Sequence, residues 1–282
     1  MQDPVTTLID LALAEDIGSG DVTSRYFIPE AGRARAFAAA RRDGVLSGVD
    51  VAARVFLAVD PHLDVEVLIA DGSCVAAGAF LMRIEGSARS ILTAERTALN
   101  FLQRLSGVAT LTSIYVALVK DTNAHILDTR KTTPGYRMLE KQAVVHGGGC
   151  NHRFGLYDRA MVKDNHLVAE GGLPALQAAI QRLKAERPEV EVELEADSLE
   201  QVRSFLAMDG VHHLLLDNMT LEELRQAVAA RGEHPVPRLE ASGGVTLRTV
   251  RDIALTGVDF ISVGALTHSA PALDIGLEFQ GI

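Results

Sequence analysis

The sequence has little of several features that mark particular classes of protein. It contains only two cysteines, Cys74 and Cys150, too few for a disulfide scaffold or a cysteine metal cage, which fits a reducing cytoplasm. No uninterrupted apolar run approaches the roughly 18 residues of a membrane-spanning helix. The first residues carry acids where a signal peptide carries lysine or arginine. We therefore expect a cytoplasmic protein without a membrane partner.

An excess of positive charge is also missing. Lys and Arg total 27 against 37 Asp and Glu, so the net charge is -10 and a nucleic-acid partner is disfavoured. The charge is nevertheless segregated along the chain. Residues 125–165 contain seven basic and four acidic residues, whereas residues 185–260 contain seven basic and fifteen acidic ones. A local anion-binding site is therefore compatible with an acidic protein.

The first 110 or so residues differ in their pattern from the rest. LIDLALAED has helical spacing, GSGD ends that helix, and Asp21 is placed to cap the next one. Short segments rich in Val, Ala and Leu follow, broken by Gly and Asp turns, which predicts a small, mostly antiparallel sheet. A helix is expected over 48–59, and a long helix from Thr93 leads into the second part of the chain.

Beyond this helix, six strand-like runs alternate with helical stretches. The strands are AHILDTR, RAMVKDNH, VEVELEAD, HHLLLDN, PRLEASGG and FISVGAL. This alternation predicts a parallel sheet with external helices, because parallel strands need crossover connections. No GxGxxG motif follows a first strand, so the dinucleotide-binding fingerprint is lacking.

In each of these runs the polar or glycine residues come last. Active sites of α/β barrels lie at the carboxyl ends of the strands, so these residues are expected to converge on one pocket. The last two ends, SGG at 242–244 and VGA at 263–265, fall where barrels commonly bind phosphate, and a helix is expected to open at Thr246.

Basic residues dominate the first strand ends. Arg130 and Lys131 follow a strand directly, and the segment around the next strand adds His152, Arg153 and Lys163. Such cations suit a ligand with two carboxylates, because Arg binds carboxylates bidentately and Lys adds a point charge. The alternatives are solvated turns, or a Schiff-base lysine at Lys131 or Lys163, which usually needs a less charged pocket.

Acids end the next two strands. Strand parity places Glu191, Glu193 and Glu195 on one face, and the strand-end rule selects Glu195 for the pocket, with Asp217 at the equivalent position of the following strand. Two carboxylates beside a phosphate site indicate Mg2+ or sugar hydroxyls. Glu191 and Glu193 are expected to face solvent or to pair with arginines.

Seven motifs taken together resemble the quinolinate phosphoribosyltransferase family. In the family's order they are EDIGSGDVTS, AERTALNFLQRLSGVAT, DTRKTTPGYR, LEKQAVVHGGGCNHRFGLYDRAMVKDNH, LLLDNM, LEASGG and ISVGALTHS. The resemblance implies an N-terminal α/β sandwich over 1–112, onto which 270–282 packs, and an incomplete, seven-stranded parallel α/β barrel over 113–269. It also implies a homodimer in which the N-terminal part of one subunit closes the barrel of the other.

The resemblance also implies roles for residues that match the family's motifs. Arg96 is the residue contributed across the dimer interface to the ring carboxylates, and the positions that hold quinolinate are Arg130, His152, Arg153 and Lys163. Around ribose, pyrophosphate and Mg2+ lie Lys131, Glu195 and Asp217, with both acids near the metal. The 5-phosphate loop comprises Ser242, Gly243, Gly264 and His268.

The implied reaction joins quinolinate to 5-phosphoribosyl 1-pyrophosphate, giving nicotinate mononucleotide, pyrophosphate and CO2 for NAD biosynthesis. In it, Mg2+ and Lys131 stabilise the departing pyrophosphate, and Glu195 or Asp217 favours the oxocarbenium-like ribose. Three alternatives stay open: a sister enzyme of the same fold that uses another aromatic acid, a Schiff-base lyase, and a catalytically silent phosphosugar-binding protein.

Overall fold

A computed structural model describes residues 3–163 and 172–280, which leaves Asp164, Asn165 and His166 of the KDNH motif outside the described residues. The helices are α1 (Pro4–Ile17), α2 (Val22–Phe27), α3 (Val49–Val59), α4 (Ala88–Val119), α5 (Arg137–His146), α6 (Gly172–Glu186), α7 (Leu199–Leu206), α8 (Leu221–Arg231), α9 (Val250–Ala254) and α10 (Ala265–His268). The strands are β1 (Arg33–Ala40), β2 (Gly44–Val45), β3 (Asp64–Val67), β4 (Cys74–Val75), β5 (Phe80–Ser87), β6 (His125–Leu127), β7 (Arg159–Val162), β8 (Glu191–Ala196), β9 (His213–Asp217), β10 (Arg238–Ser242), β11 (Phe260–Ser262) and β12 (Ile275–Gln280).

The chain forms two compact units. The first comprises Met1–Ser113, Thr133–Gly148 and Ser269–Ile282, and the second comprises Ile114–Thr132 and Gly149–His268. The helix α4 continues along the chain from the first unit into the second as one uninterrupted helix.

The first unit is built on an antiparallel sheet in the order β12–β1–β5–β3. The strand β1 alternates between exposed arginines and buried alanines at its start, as expected for a sheet with one covered face. Pairing of β12 with β1 brings residues 275–280 into this N-terminal sheet. The Asp21 carboxylate accepts the Ser24 N–H and caps α2, which confirms the cap expected from GSGD.

The helix α5 also belongs to this first unit, although the sequence assigns its residues to the barrel range 113–269. Its buried Glu140 accepts a hydrogen bond from Arg104 of α4 at 2.8 Å. Gly147, directly after α5, lies so close to α4 that an added Cβ would sit 2.3 Å from the Ala109 carbonyl oxygen. These contacts between distant parts of the chain place α5, and local patterning does not reveal them.

The second unit contains a six-stranded parallel sheet in the order β6–β11–β10–β9–β8–β7. These are the six strands predicted from the sequence, and α6 to α9 connect successive members from β7 onward. A one-residue parallel bridge between Leu127 and Cys150 adds a sixth pairing, on the free side of β6. Within the described ranges the sheet is open, which agrees with an incomplete barrel.

The helix α4 also bears on the membrane prediction. Among the described residues it alone is long and apolar enough to cross a membrane, with a mean hydropathy of 1.3 over its most apolar 18 residues. Half of that window is buried inside the protein, and buried core helices pass the same test of length and composition. Although the sequence has no uninterrupted apolar run of about 18 residues, the average hydropathy of this helix reaches the level of a membrane-spanning helix.

Candidate active site

A cavity of about 500 Å³ opens at the carboxyl ends of the parallel strands in the second unit. Every strand of this sheet contributes to its lining, either by its last residues or by the loop that follows, as the sequence predicts. Nine of the twelve candidate site residues line it: Arg130, Lys131, His152, Arg153, Lys163, Glu195, Asp217, Ser242 and Gly243. Residues that are far apart in the chain thus form one pocket with a basic and an acidic part.

The basic part is crowded with like charges. Burial lowers the pKa of the Arg153 guanidinium, and the nearby charge of Arg130 lowers it further. Arg153 is held by its Nη1, which donates to the carbonyl oxygen of Arg159 at 3.2 Å. The neighbouring carboxylates of Glu193 and Asp158 offset part of this effect on Arg153. Two guanidinium groups in one pocket suit a negatively charged ligand.

The basic and acidic parts meet at one ion pair. Lys163 Nζ donates to Glu195 Oε2 at 2.8 Å, and the Glu195 carboxylate is the more buried of the two groups. In the acidic part, Asp217 Oδ2 accepts a hydrogen bond from Asn218 Nδ2 at 2.8 Å. Each of these two carboxylates has a second oxygen besides the one that accepts the hydrogen bond. Such a pair fits Mg2+, which takes one or two protein carboxylates and completes its shell with water and substrate phosphates.

The SGG loop is shaped by a close approach between β9 and β10. Gly243 has a φ of +97°, and an added Cβ would lie 2.1 Å from Asn218 Oδ1. Asn218 itself has a φ of +53°, and its N–H donates to the Ser242 carbonyl at 2.9 Å. Glycine at position 243 is therefore required by the neighbouring strand end, which the sequence motif alone does not show.

The helix expected to open at Thr246 begins later. Residues 246–249 form a turn closed by the Thr249 N–H and the Thr246 carbonyl, and α9 starts at Val250 and is only five residues long. The prediction of a helix N-terminus at Thr246 is therefore wrong, because the Thr246 and Thr249 side chains bond to each other and favour a turn. The residues Ser242, Gly243 and Gly244 that line the cavity are therefore followed by a turn and not directly by a helix.

Three candidate residues do not line the cavity. Arg96 is exposed on α4 in the first unit. Gly264 lies directly before α10, and an added Cβ there would be 3.1 Å from His268 Nε2 and 3.2 Å from Lys131 Cδ. The His268 ring and the Lys131 chain thus both pack over Gly264, and Thr267 Oγ1 donates to the Lys131 carbonyl at 2.8 Å. The segment from Gly264 to His268 therefore holds Lys131 in the lining of the cavity.

Two buried acids near the base of this cavity are not among the site residues predicted from the sequence. Glu193 and Glu240 are fully buried, and both lie next to His152 Nε2, at 3.2 Å and 3.4 Å. Of the expectation that Glu193 faces solvent or pairs with an arginine, exposure to solvent is wrong and the pairing is confirmed, because Arg159 Nη1 lies 3.6 Å from its Oε2. Glu193 shares its strand face with Glu195, and Glu240 shares its face with Ser242; this side-chain parity is the signal in the sequence for both acids.

The buried acids control the charge of His152. Burial opposes charge on the imidazole, but the hydrogen bonds that its Nε2–H donates to Glu193 and Glu240, together with their negative charge, outweigh burial and raise the pKa of His152 to about 9. Burial raises the pKa of Glu240, whereas the contact with His152 outweighs burial and lowers the pKa of Glu193. The base of the cavity therefore favours a protonated His152 opposite at least one ionised carboxylate.

Comparison with known proteins identifies the family. The model of the quinolinate phosphoribosyl transferase N-terminal domain matches residues 21–106, and that of the C-terminal domain matches residues 108–278. A chloroplastic nicotinate-nucleotide pyrophosphorylase [carboxylating] of Arabidopsis thaliana is 42% identical over 97% of this chain and 82% of its own length. A probable nicotinate-nucleotide pyrophosphorylase [carboxylating] of Synechocystis is 42% identical over 94% of this chain and 89% of its own length.

The solved structures agree with the sequence comparisons. The nicotinate-nucleotide pyrophosphorylase of Francisella tularensis superposes with a TM-score of 0.92 at 40% identity, covering 99% of this chain and 96% of that one. The similarity thus extends over both units and includes the loops that line the cavity. The chain belongs to the quinolinate phosphoribosyltransferase family.

Proposed function

We propose that this protein transfers the phosphoribosyl group of 5-phosphoribosyl 1-pyrophosphate to quinolinate, with decarboxylation, and so supplies nicotinate mononucleotide for NAD biosynthesis. The observation that carries the proposal is the cavity in which Arg130, Arg153 and Lys163 face Glu195 and Asp217, in a chain that matches both family domains. A dianionic ring acid suits the basic part. A sugar phosphate with a metal suits the acidic part and the glycine loop.

Quinolinate is expected to bind in the basic part. Its two carboxylates offset the repulsion between Arg130 and Arg153, and Lys163 adds a third cation beside Glu195. These contacts orient the ring nitrogen towards the ribose. The reaction between two substrates then becomes effectively unimolecular, because both are bound in the same cavity. In this assignment His152 supports the site by its charge, since its Nε2 already contacts Glu193 and Glu240.

The phosphoribosyl donor is expected to bind across Lys131, Glu195, Asp217 and the loop of Ser242 and Gly243, with Gly264 and His268 completing the phosphate side. The Lys131 ammonium stabilises charge on the departing pyrophosphate, and the two carboxylates favour the cationic ribose. Glu195 and Asp217 would hold Mg2+, which supplies further stabilisation of the pyrophosphate charge.

Decarboxylation needs no separate protein base. Once the ring nitrogen carries ribose, the ring is cationic, and loss of the adjacent carboxylate as CO2 leaves an electron pair that this cation stabilises. A proton from water then takes the place of the CO2 on that carbon. A Schiff-base mechanism is less well supported, because Lys163 is paired with the Glu195 carboxylate in a cavity lined by many charged groups, whereas a Schiff-base lysine usually needs a desolvated, less charged pocket.

We further propose a homodimer in which Arg96 of one subunit reaches the quinolinate carboxylates of the other. Its exposed position on α4 is compatible with this role. A cytoplasmic location stays a prediction, since the names of plant relatives place them in chloroplasts or mitochondria.

The test is to supply the purified chain with quinolinate, 5-phosphoribosyl 1-pyrophosphate and Mg2+, and to measure pyrophosphate, CO2 and nicotinate mononucleotide. Equimolar release of all three is expected. Parallel reactions with nicotinate and with other aromatic acids test the sister-enzyme alternative, and a preference for one of these over quinolinate would contradict the proposal. Borohydride trapping of substrate on Lys131 or Lys163 would favour the lyase instead.

A further inference from the structure

The cluster of His152, Glu193 and Glu240 has a composition that the proposed reaction does not explain. Both carboxylates are fully buried, and the imidazole side chain is 5% exposed. A buried carboxylate costs free energy unless it is paired and hydrogen-bonded, and here two of them share one imidazole nitrogen. Among the described residues, Glu193 Oε2 and Glu240 Oε2 have no hydrogen-bond partner of good geometry, and each lies within ion-pair distance of His152 Nε2. His152 is the cation that the two acids share, and Arg159 lies 3.6 Å from Glu193 Oε2.

The contacts of the imidazole show which nitrogen carries a proton. The Arg153 N–H donates to His152 Nδ1 at 2.7 Å, so the proton of the neutral ring lies on Nε2, facing the two carboxylates. Uptake of a second proton at Nδ1 would release the Arg153 contact but leave the Nε2 proton in place. Nε2 is thus a donor to the acids in both charge states.

The same contacts argue against a metal ion in this cluster. One histidine and two carboxylates form a donor set that zinc uses, and their ligand atoms lie within 4.8 Å of one another. A metal on Nε2 would require that nitrogen to lose its proton while Nδ1 accepts the Arg153 N–H, which leaves the ring without any proton. The carboxylates are therefore better explained as acceptors for Nε2–H.

The backbone of His152 is fixed as well. Its N–H donates to the buried Asp128 carboxylate at 2.9 Å, directly after β6. Glu240 in turn accepts the Ser262 hydroxyl from β11, and both of these residues line the cavity. Contacts from β6, β8, β10 and β11 thus set the place and the rotation of one ring at the base of the basic part.

We propose that Glu193 and Glu240 are positioning residues for His152, and that by accepting from Nε2–H they fix the imidazole at its place in the lining of the basic part, where the quinolinate carboxylates are expected to bind. The inference rests on the proposed function, since it concerns the quinolinate part of that site. It assigns to the two buried acids a role in substrate affinity although Glu193 does not line the cavity. The phosphoribosyl donor, which is expected to bind at Lys131 and the SGG loop, depends much less on this network.

The test uses Glu193→Gln, Glu240→Gln, Glu193→Leu and Glu240→Leu in the full chain, with Glu191→Gln as control. Glu191 lies on the same strand and face as Glu193, but it is half exposed and outside the cavity. We expect the KM for quinolinate to rise about tenfold or more in the Leu variants and less in the Gln variants, which retain an acceptor oxygen. The KM for the phosphoribosyl donor should change less than about twofold, as should both constants of the control.

Nitrogen-15 NMR of histidine-labelled wild-type protein provides a second measurement that does not depend on how the variants fold. We expect the His152 resonance, assigned from a His152→Gln sample, to show a protonated Nε2, with Nδ1 either an acceptor or protonated. A neutral ring protonated only on Nδ1, stoichiometric zinc in the purified protein, or an unchanged quinolinate KM in well-folded Leu variants would each overturn the inference. Wild-type protein that forms no product from quinolinate would instead refute the proposed function.

Discussion

Lys163 Nζ and Glu195 Oε2 lie 2.8 Å apart at the ends of the adjacent strands β7 and β8, and they join the basic and acidic parts of the cavity. The lysine side chain is 47% exposed, so the pair contributes at most about 1 kcal/mol to the free energy of unfolding. In the proposed function the pair contributes to substrate binding, because the Lys163 ammonium binds a carboxylate of quinolinate and also orients the Glu195 carboxylate beside it.

The substitution Lys163→Met distinguishes the contribution of Lys163 to substrate binding from its contribution to stability. We expect kcat/KM for quinolinate to fall at least about tenfold, as for loss of a charged hydrogen bond, while the midpoint of urea unfolding changes little. Lys184→Met, on the exposed surface of α6, is the matched control and should leave both quantities unchanged. An equal loss of kcat/KM in the control would show that the effect is not specific to the cavity.

Arg130→Ala is expected to damage activity far more than stability. The Arg130 guanidinium lines the cavity beside Arg153, whose pKa it lowers, so its charge is placed for binding an anion. Loss of a buried contact to a substrate carboxylate costs about 2–5 kcal/mol, or roughly 30-fold to several thousand-fold in kcat/KM. Steady-state kinetics with a thermal melt measure both effects, and near-normal turnover would contradict the assignment of Arg130.

The proposed shared site predicts complementation between two inactive variants. Arg96→Ala removes the residue offered to the partner subunit, and Lys131→Ala removes a residue of the subunit's own cavity. In hybrid dimers one of the two sites keeps both residues, so mixing the denatured variants and refolding them together should restore up to about a quarter of wild-type activity. Each variant refolded alone is the control, and a mixture no more active than the two alone would speak against closure of the site by a partner.

The stability of the protein should depend on pH through His152. Its pKa of about 9 in the folded protein lies above the roughly 6.5 of an unfolded chain. Its contribution is therefore fully present below about pH 6.5 and is lost as the pH rises through about 9, and it amounts to at most about 3 kcal/mol. The groups around the ring are Glu193, Glu240 and Asp128.

Urea unfolding of wild type and His152→Gln from pH 6 to pH 9.5 measures this contribution. The difference in unfolding free energy between the two proteins should shrink as the pH rises, because glutamine carries no titrating proton. A difference that is constant over this range would show that His152 does not hold its proton above pH 6.5.

Gly243→Ala tests the close approach between the ends of β9 and β10. The added Cβ would meet Asn218 Oδ1 at 2.1 Å, and alanine is strained at a φ of +97°. We expect a loss of about 1–3 kcal/mol in stability and, because Asn218 holds Asp217, a higher KM for the phosphoribosyl donor. Gly232→Ala, directly after α8 and outside the cavity, where no atom lies within 4 Å of an added Cβ, controls for glycine strain at φ +64°. Equal effects in both variants would remove the role assigned to Asn218.

The sequence by itself determined the alternation of β6–β11 with helices, the cap at Asp21, and the order of cations and acids at the strand ends. These follow from periodicity and from residues close in the chain, and the motifs of the resemblance added specific roles to them. Side-chain parity also indicated that Glu193 and Glu195 share a face, because alternation along a strand is a local property.

Only the tertiary structure decided how deep each of these residues lies. Parity places Glu193 and Glu240 on a face, but their contact with His152 depends on the sheet order β8–β9–β10 and on the loop that returns after Cys150. The late start of α9 and the place of α5 in the first unit likewise depend on the Thr246–Thr249 turn and on packing against α4. Burial and pairing are set by contacts between distant parts of the chain, and so Glu193, which the sequence assigned to solvent or to an arginine, lies buried beside His152 together with Glu240.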